Sequence, residues 1–393
     1  ISTIKLRTRL VLTTLFRISI MNINPRCSAP YSLRYFPLFP TSLRGFRVSA
    51  LRSSLPFDTH KANFHKELQA AVDAVETACS LCINVQKSLY STDGRILEKG
   101  DQTLVTIADF SVQALISLEL GRQFPSIPLV AEEDSSYLCE SNLVDPVASL
   151  VNSRATVGSL TKHDILTAID RGVGRLNGEK PTIYWMLDPI DGTRGFVKGA
   201  GSLYVVGLSL VVEEEIVLGV MGCPNWAETA VESSDSPSPG IITIAHVGLG
   251  TWTKHLHTSS LSHPWTKCHV DDHSSIHGAH FCIPESQTWE SLPLRGNDVL
   301  LSAPCCGSLC KYLMVAMGKA TVFIQRAKAT IMAWDHAVGV ICVEEAGGKV
   351  TDWNGSKIHF GADSLERRII YPVGGILVTN TKLHHQILNL ISN

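Results

Sequence analysis

The feature that most constrains this chain is a short apolar run that ends in acid. Tyr184-Trp-Met-Leu187 passes without interruption into Asp188-Pro-Ile-Asp-Gly-Thr193. Four consecutive apolar residues bounded by a turn signal read as a buried strand. In open α/β sheets, sites assemble where strands end. Pro189 is expected to stop the strand, and Gly192 to let the chain turn so that Asp188 and Asp191 face one point. Turn chemistry accounts for an Asp-Gly pair. It does not account for a buried strand delivering two carboxylates together.

Three further acids occupy comparable places. Glu132 follows the apolar run Leu129–Ala131, Asp335 opens a helix beside Trp334, and Asp109 opens a helix after Leu104–Ile107. Taken singly, Asp109 and Asp335 are better explained as helix caps. Taken together, converging carboxylates repel one another unless a cation neutralises them. An all-oxygen set of this kind suits Mg²⁺, which keeps waters and shares substrate phosphate oxygens.

The surrounding pattern predicts the frame. An amphipathic helix is expected over Phe64–Leu89, with Leu68, Val72, Val75, Cys79 and Cys82 on its apolar side. A loop (Gly94–Thr103), a strand (Leu104–Ile107) and a helix from Ala108 to Phe124 follow, the last ended by Pro125 and Pro128. Leu203–Val212 and Ile216–Gly222 read as a hairpin around Glu213, Glu214 and Glu215, and Ser233–Gly240 as a flexible tip. Strands then alternate with helices: Ile241–Ala245, Ala279–Ile283, Val299–Ser302, a helix at Ser308–Gly318, and Thr321–Gln325. A helix opening at Trp334-Asp335-His336 is closed by Gly347-Gly348. The strand Gly375–Thr379 and a helix from Lys382 complete the chain. The order gives an α+β front half and an α/β rear half joined near residue 230, hence lobes at 58–230 and 231–393.

Charge separates the beginning of the chain from the rest. Residues 1–57 hold Lys5 and eight arginines with no Asp or Glu; subtracting that +9 from the overall −2 leaves −11 for residues 58–393. An arginine-rich, Ser/Thr-containing, acid-free start has the composition of an organelle transit peptide, mitochondrial first and plastid as the alternative. The same holds from Met21 onward. The acidic remainder is a poor general partner for nucleic acid. The most apolar stretch, Leu203–Gly222, has three glutamates at its centre, which a bilayer core would not tolerate, so no membrane role is expected.

The 11 cysteines are an odd number spread over a long chain. They argue against a secreted disulfide scaffold. Cys79 and Cys82 have metal-like spacing but fall on the apolar side of the first helix, where they read as core. Eight histidines lie between His246 and His280 with no acid or Cys pattern to organise them, and read as a polar surface insertion.

The motifs together resemble the lithium-sensitive inositol monophosphatase superfamily: Val130-Ala-Glu-Glu-Asp134, Asp188-Pro-Ile-Asp-Gly-Thr-Arg-Gly-Phe196, and Trp334-Asp-His-Ala337 with Glu345-Ala-Gly-Gly348. Gly195, Ala168-Ile-Asp-Arg-Gly172, the Trp-Asp-His segment and Ser308-Leu-Cys-Lys-Tyr312 resemble the 3′(2′),5′-bisphosphate nucleotidases within it, the plant organellar type in particular. The resemblance implies a layered α-β-α-β-α sandwich. It also implies a phosphomonoesterase that removes the 3′-phosphate of adenosine 3′,5′-bisphosphate, and of its sulfated form. It implies one metal held by Glu132, Asp188 and the Ile190 carbonyl, and a second by Asp188, Asp191 and Asp335. Asp109 and Thr193 would orient and deprotonate the attacking water, and the Gly192 and Thr193 N–H groups would hold phosphate. Ser308 and Lys311, one helical turn apart, match nucleotide-binding positions of the family, although the residues alone read equally as a helix cap and a solvated Lys; Arg326 and Lys328 remain as candidate anion contacts. Arg194 stands where Lys is common, and the Gln325–Ala333 segment is shorter than usual. Three other readings stay open: an inositol or sugar phosphate phosphatase on the same scaffold, a non-catalytic nucleotide or cation sensor, and a Cys/His zinc protein.

Overall fold

The computed structural model describes residues 55–91, 97–98, 104–105, 107–155, 159–173, 182–199, 202–227, 240–256, 264–294, 298–304, 307–327, 330–361, 363 and 366–391. The arginine-rich start, most of the 94–103 stretch, the 233–239 tip and Lys328 lie outside them. Residues 52–393 form one compact unit.

The chain opens with α1 (His65–Ser91), a short ribbon of β1 (Leu97–Glu98) and β2 (Leu104–Val105), and α2 (Ile107–Gln123). The predicted face of α1 is the buried one: Leu68, Val72, Val75, Cys79 and Cys82 are all fully buried. Next come β3 (Leu129–Ala131), α3 (Ser136–Ser141), α4 (Val144–Asn152), α5 (Lys162–Asp170), β4 (Ile183–Asp191) and α6 (Thr193–Lys198). The long hairpin is β5 (Val205–Val212) and β6 (Glu215–Cys223), followed by β7 (Ile241–His246), β8 (Gly250–His255) and β9 (Thr266–Lys267). The remainder is β10 (His280–Cys282), β11 (Leu300–Ser302), α7 (Leu309–Ala316), β12 (Val322–Arg326), β13 (Ile331–Met332), α8 (Ala337–Glu345), β14 (Gly348–Asp352), β15 (Ile369–Ile370), β16 (Gly375–Asn380) and α9 (Thr381–Ile391).

Two sheets organise the molecule. Strands β3 to β9 line up in chain order, parallel at β3–β4 and antiparallel from there on. The second sheet has the order β11-β10-β12-β16-β14. Side-chain alternation assigns the layers. In β5, Val206, Leu208 and Leu210 join α1 and α2 in one core, while Val205 faces α7 and α8. In β12, Phe323 faces α7 and α8, while Val322 and Ile324 pack with Leu383 and Ile387 of α9. The layers are therefore α1/α2, the first sheet, α7/α8, the second sheet and α9. This is the α-β-α-β-α sandwich that the motifs implied.

Three local expectations change. Pro189 does not stop the strand; β4 continues to Asp191 through a bulge. The first sheet runs past residue 230 to Lys267, taking strands from both sides of that position. The His-rich stretch is not merely a surface insertion. Within it β8 pairs along its whole length with the preceding β7. His246 is buried, with Nε2 2.7 Å from the Asn63 carbonyl. The Thr251 hydroxyl donates to the Cys342 carbonyl of α8. His257 and His263 lie outside the described residues. Between β3 and β4, helices α3, α4 and α5 cover α2 with Leu138, Leu143, Val147, Val151, Ile165 and Ile169. No element was expected there.

Candidate active site

The bulge in β4 brings the two aspartates together. Asp188 pairs with Gly207 and Asp191 with Val205, so three steps on β4 answer two on β5. In a regular strand, residues three apart point to opposite faces. One extra residue restores them to the same side. Pro189, which has no N–H to give the ladder, occupies the irregular stretch. Gly192 then turns the chain with φ 89°, a left-handed conformation that glycine adopts without strain, and α6 begins at Thr193.

Carboxylate oxygens of Asp188, Asp191 and Asp335 all lie within 4.8 Å of one another. Asp335 lies two residues before α8. Asp109 sits in the first turn of α2 and is 1% exposed, as is Asp188. Glu132 follows the end of β3. Burial pushes the Asp188 carboxyl well above its ordinary range, and the charges of Glu132, Asp191, Asp335 and Asp109 push it further. Burial and then Asp191 raise Asp335 to about 7, opposed by a hydrogen bond with Asp188. Asp191 is raised by burial to about 6. It is held down by N–H donors from Leu309 (2.6 Å) and Ser308 (3.0 Å) at the start of α7, and by the Lys311 charge.

The cluster lines a cleft of about 660 Å³, together with Ile190, Gly192, Thr193, Arg194, Trp334 and Arg368. The Thr193 hydroxyl donates to the Ile190 carbonyl at 3.2 Å. One Asp188 oxygen is buried with no hydrogen-bond partner. A buried, unpartnered carboxylate oxygen among like charges is costly unless a cation meets it. The donor set is oxygen throughout, so the residues fit a hard divalent cation.

The expected nucleotide contacts are placed elsewhere. Ser308 contributes its backbone N–H to Asp191. Lys311 is 2% exposed, with its ammonium bonded to the Gly307 carbonyl, so it serves the acidic cluster from behind. Arg326 bonds the Ser291 carbonyl at 3.1 Å and does not line the cleft. The Ala168–Gly172 motif also acts from outside. Asp170 accepts from the Ser135 N–H (2.8 Å) and hydroxyl (2.7 Å), and Arg171 donates to the carbonyls of Ser117 (2.8 Å) and Ile127 (2.7 Å). Gln113, buried in α2, donates to the Glu133 and Ile169 carbonyls and accepts from the Glu133 N–H. These contacts fix the loop that carries Glu132. Arg368 and Gln113 carry no local sequence signal, because their partners are carbonyls remote in the chain.

The inositol monophosphatase family profile matches residues 63–393. The chain belongs to that family. It is 54% identical, over 95% of its own length and 98% of the relative's, to an Arabidopsis thaliana protein provisionally named a mitochondrial 3′(2′),5′-bisphosphate nucleotidase. It is 33% identical, over 84% of its length and 96% of the relative's, to Arabidopsis 3′,5′-bisphosphate nucleotidase 2. Among solved structures, the inositol monophosphatase of Anabaena superposes with a TM-score of 0.52 at 19% identity, covering 84% of this chain and 97% of that one. CysQ of Bacteroides thetaiotaomicron gives 0.51 at 20%, covering 81% and 98%. At those identities the superpositions establish the fold.

Proposed function

We propose that the protein is a Mg²⁺-dependent phosphomonoesterase that removes the 3′-phosphate of adenosine 3′,5′-bisphosphate, and of its sulfated form, in an organelle. The observation that carries the chemistry is the convergence of buried carboxylates, one with an unpartnered oxygen, in a cleft wide enough for a nucleotide. The bisphosphate nucleotidase names of its relatives support the substrate class, and the mitochondrial name of one supports the compartment. The same names favour a nucleotidase over a sugar phosphatase, and the intact acid set favours an enzyme over a sensor.

Asp188, Asp191 and Asp335 would hold one cation; Glu132, Asp188 and the Ile190 carbonyl would hold the other. When bound, such cations stabilise the attacking and leaving oxygens of an in-line displacement and make a nucleophile available near neutral pH. Asp109, buried beside Asp188 on α2, supplies a carboxylate to accept the water's proton, and the Thr193 hydroxyl orients that water. The N–H groups of Gly192 and Thr193 would hold the phosphate. Arg194, exposed in the cleft lining, suits the substrate's second anionic group.

A phosphate-release panel tests the reading: adenosine 3′,5′-bisphosphate, its sulfated form, inositol 1-phosphate and inositol 1,4-bisphosphate, each with Mg²⁺ and with EDTA. The bisphosphate nucleotide should exceed inositol 1-phosphate in kcat/KM by about tenfold or more, equivalent to ~1.4 kcal/mol of transition-state binding. Chelation should abolish both. Comparable efficiencies would leave a phosphatase without the nucleotide preference, and release unaffected by EDTA would remove the metal.

A further inference from the structure

Arg368 touches both walls of the acidic cluster at once. Its Nη2 donates to the Ala131 carbonyl at 2.7 Å, and its guanidinium lies 5.2 Å from the centre of the Trp334 ring. Ala131 is the residue before Glu132, at the end of β3 in the first sheet. Trp334 is the residue before Asp335, on the segment that enters α8. One side chain therefore bridges the immediate neighbours of two carboxylates brought together from separate layers.

Its backbone is anchored on both sides, while its Nε is buried without a hydrogen-bond partner. The Arg368 carbonyl accepts from the Ala333 N–H at 2.7 Å, and its N–H donates to Asp363 Oδ2 at 3.0 Å. Next to it, Arg367 is 1% exposed and anchors to the Gly361 carbonyl (2.6 Å) and to Glu214 (3.2 Å) at the tip of the β5–β6 hairpin. The β13–β15 ribbon pairs Met332 with Ile369 on the other side. A planar guanidinium can lay its face on an indole while aiming an in-plane N–H at a carbonyl. A lysine ammonium cannot meet both geometries.

We propose that Arg368 is a positioning residue that sets the span between Glu132 and Asp335, and through it the affinity of the cluster for a divalent cation. The proposal rests on the reading of that cluster as a metal site. Groups that orient metal ligands from behind commonly change metal affinity by about 10–100-fold when replaced.

The test uses Mn²⁺ as a spectroscopic probe, titrated into the full chain and followed by electron paramagnetic resonance. Wild type, Arg368→Gln, Arg368→Lys and Asp188→Asn are compared. Arg368→Gln should weaken Mn²⁺ binding about tenfold or more, and Arg368→Lys should recover little of it, because charge without the fork does not restore the bridge. At saturating cation, KM for the phosphate ester should stay within about twofold, with the loss appearing in cation dependence. Arg368→Lys retains a charge and a long side chain, and keeps the test intact if the Gln variant fails to fold. Wild-type Mn²⁺ affinity in both Arg368 variants overturns the proposal. So does a raised KM with unchanged Mn²⁺ binding, which would make Arg368 a substrate contact. If Asp188→Asn binds Mn²⁺ as wild type does, the metal reading of the cluster fails instead.

Discussion

Asp188 and Asp109 are both nearly inaccessible carboxylates, yet they predict opposite phenotypes. Asp188 carries the like charge of four acids in addition to burial. Asp188→Asn should therefore abolish cation binding and turnover while melting at or above the parent temperature in cation-free buffer, since a source of repulsion is gone. Asp109→Asn should retain cation binding and lose about 10²–10⁴-fold in kcat, the range typical of a missing general base. A melting curve, a Mg²⁺ titration and turnover on both variants check this. Near-normal turnover in Asp109→Asn, or a melt far below the parent, would make Asp109 a helix-start residue and nothing more. The aspartates could be read from sequence because the motif packs an apolar strand, a proline, two acids and a glycine into ten residues. Lys311 could not be placed that way. Its helical spacing from Ser308 suggests either a nucleotide-facing pair or a solvated Lys, whereas the first turn of α7 is buried against Asp191.

Helices α7 and α8 fill the layer between the two sheets, and their mutual position decides where Asp191 and Asp335 meet. The N-terminus of α7 holds Asp191, and α8 begins two residues after Asp335. Tyr312 of α7 and His336 at the start of α8 share a buried hydrogen bond of 2.9 Å with their rings 5.7 Å apart. Burial lowers the His336 pKa to about 3, so the ring stays neutral there. Gly339 admits this contact: a Cβ on it would lie 2.4 Å from Cγ of the Tyr312 ring. Gly339→Ala should thus push the helices apart, costing about 1–3 kcal/mol as overpacked cores do, and weaken cation binding in the same variant. Chemical denaturation and Mn²⁺ titration measure the two effects. Destabilisation with wild-type cation affinity would uncouple this helix pair from the site. Long, strongly periodic elements such as α1 and β5 were legible in the sequence because their buried faces repeat many times. Helices α3, α4 and α5, of six to nine residues, offer too few turns for a period to show. The start of α5 is closed by a Thr161–Asp164 capping box, with reciprocal bonds between side chains and backbone.

The whole molecule places its most unfavourable charge where the strand ends of the first sheet meet the α7/α8 layer, and this couples stability to both pH and cation. Acids from four elements bear on Asp188: Asp191 and Asp335 converge on it, and the charges of Glu132 after β3 and Asp109 of α2 also raise it. Lys311 of α7 is the cation opposing Asp191. Asp191 at about 6 and Asp335 at about 7 stand above the ordinary aspartate value of 3.8. Without cation, the folded protein then holds protons that the unfolded chain has released. Stability is fully present below the unfolded value and is lost as pH rises through the folded ones. Across roughly pH 4 to 7 the cation-free melting temperature should therefore fall by a component that belongs to this cluster. A divalent cation takes the place of those protons, so its stabilising effect should be larger at pH 8 than at pH 5. Other titrating groups also contribute to the slope, and the informative quantity is the difference between wild type and Asp335→Asn. The variant should show a shallower fall with pH and a smaller cation-induced rise at pH 8. Parallel pH profiles in the two proteins, with and without Mg²⁺, would mean that the cluster does not govern the stability of the fold.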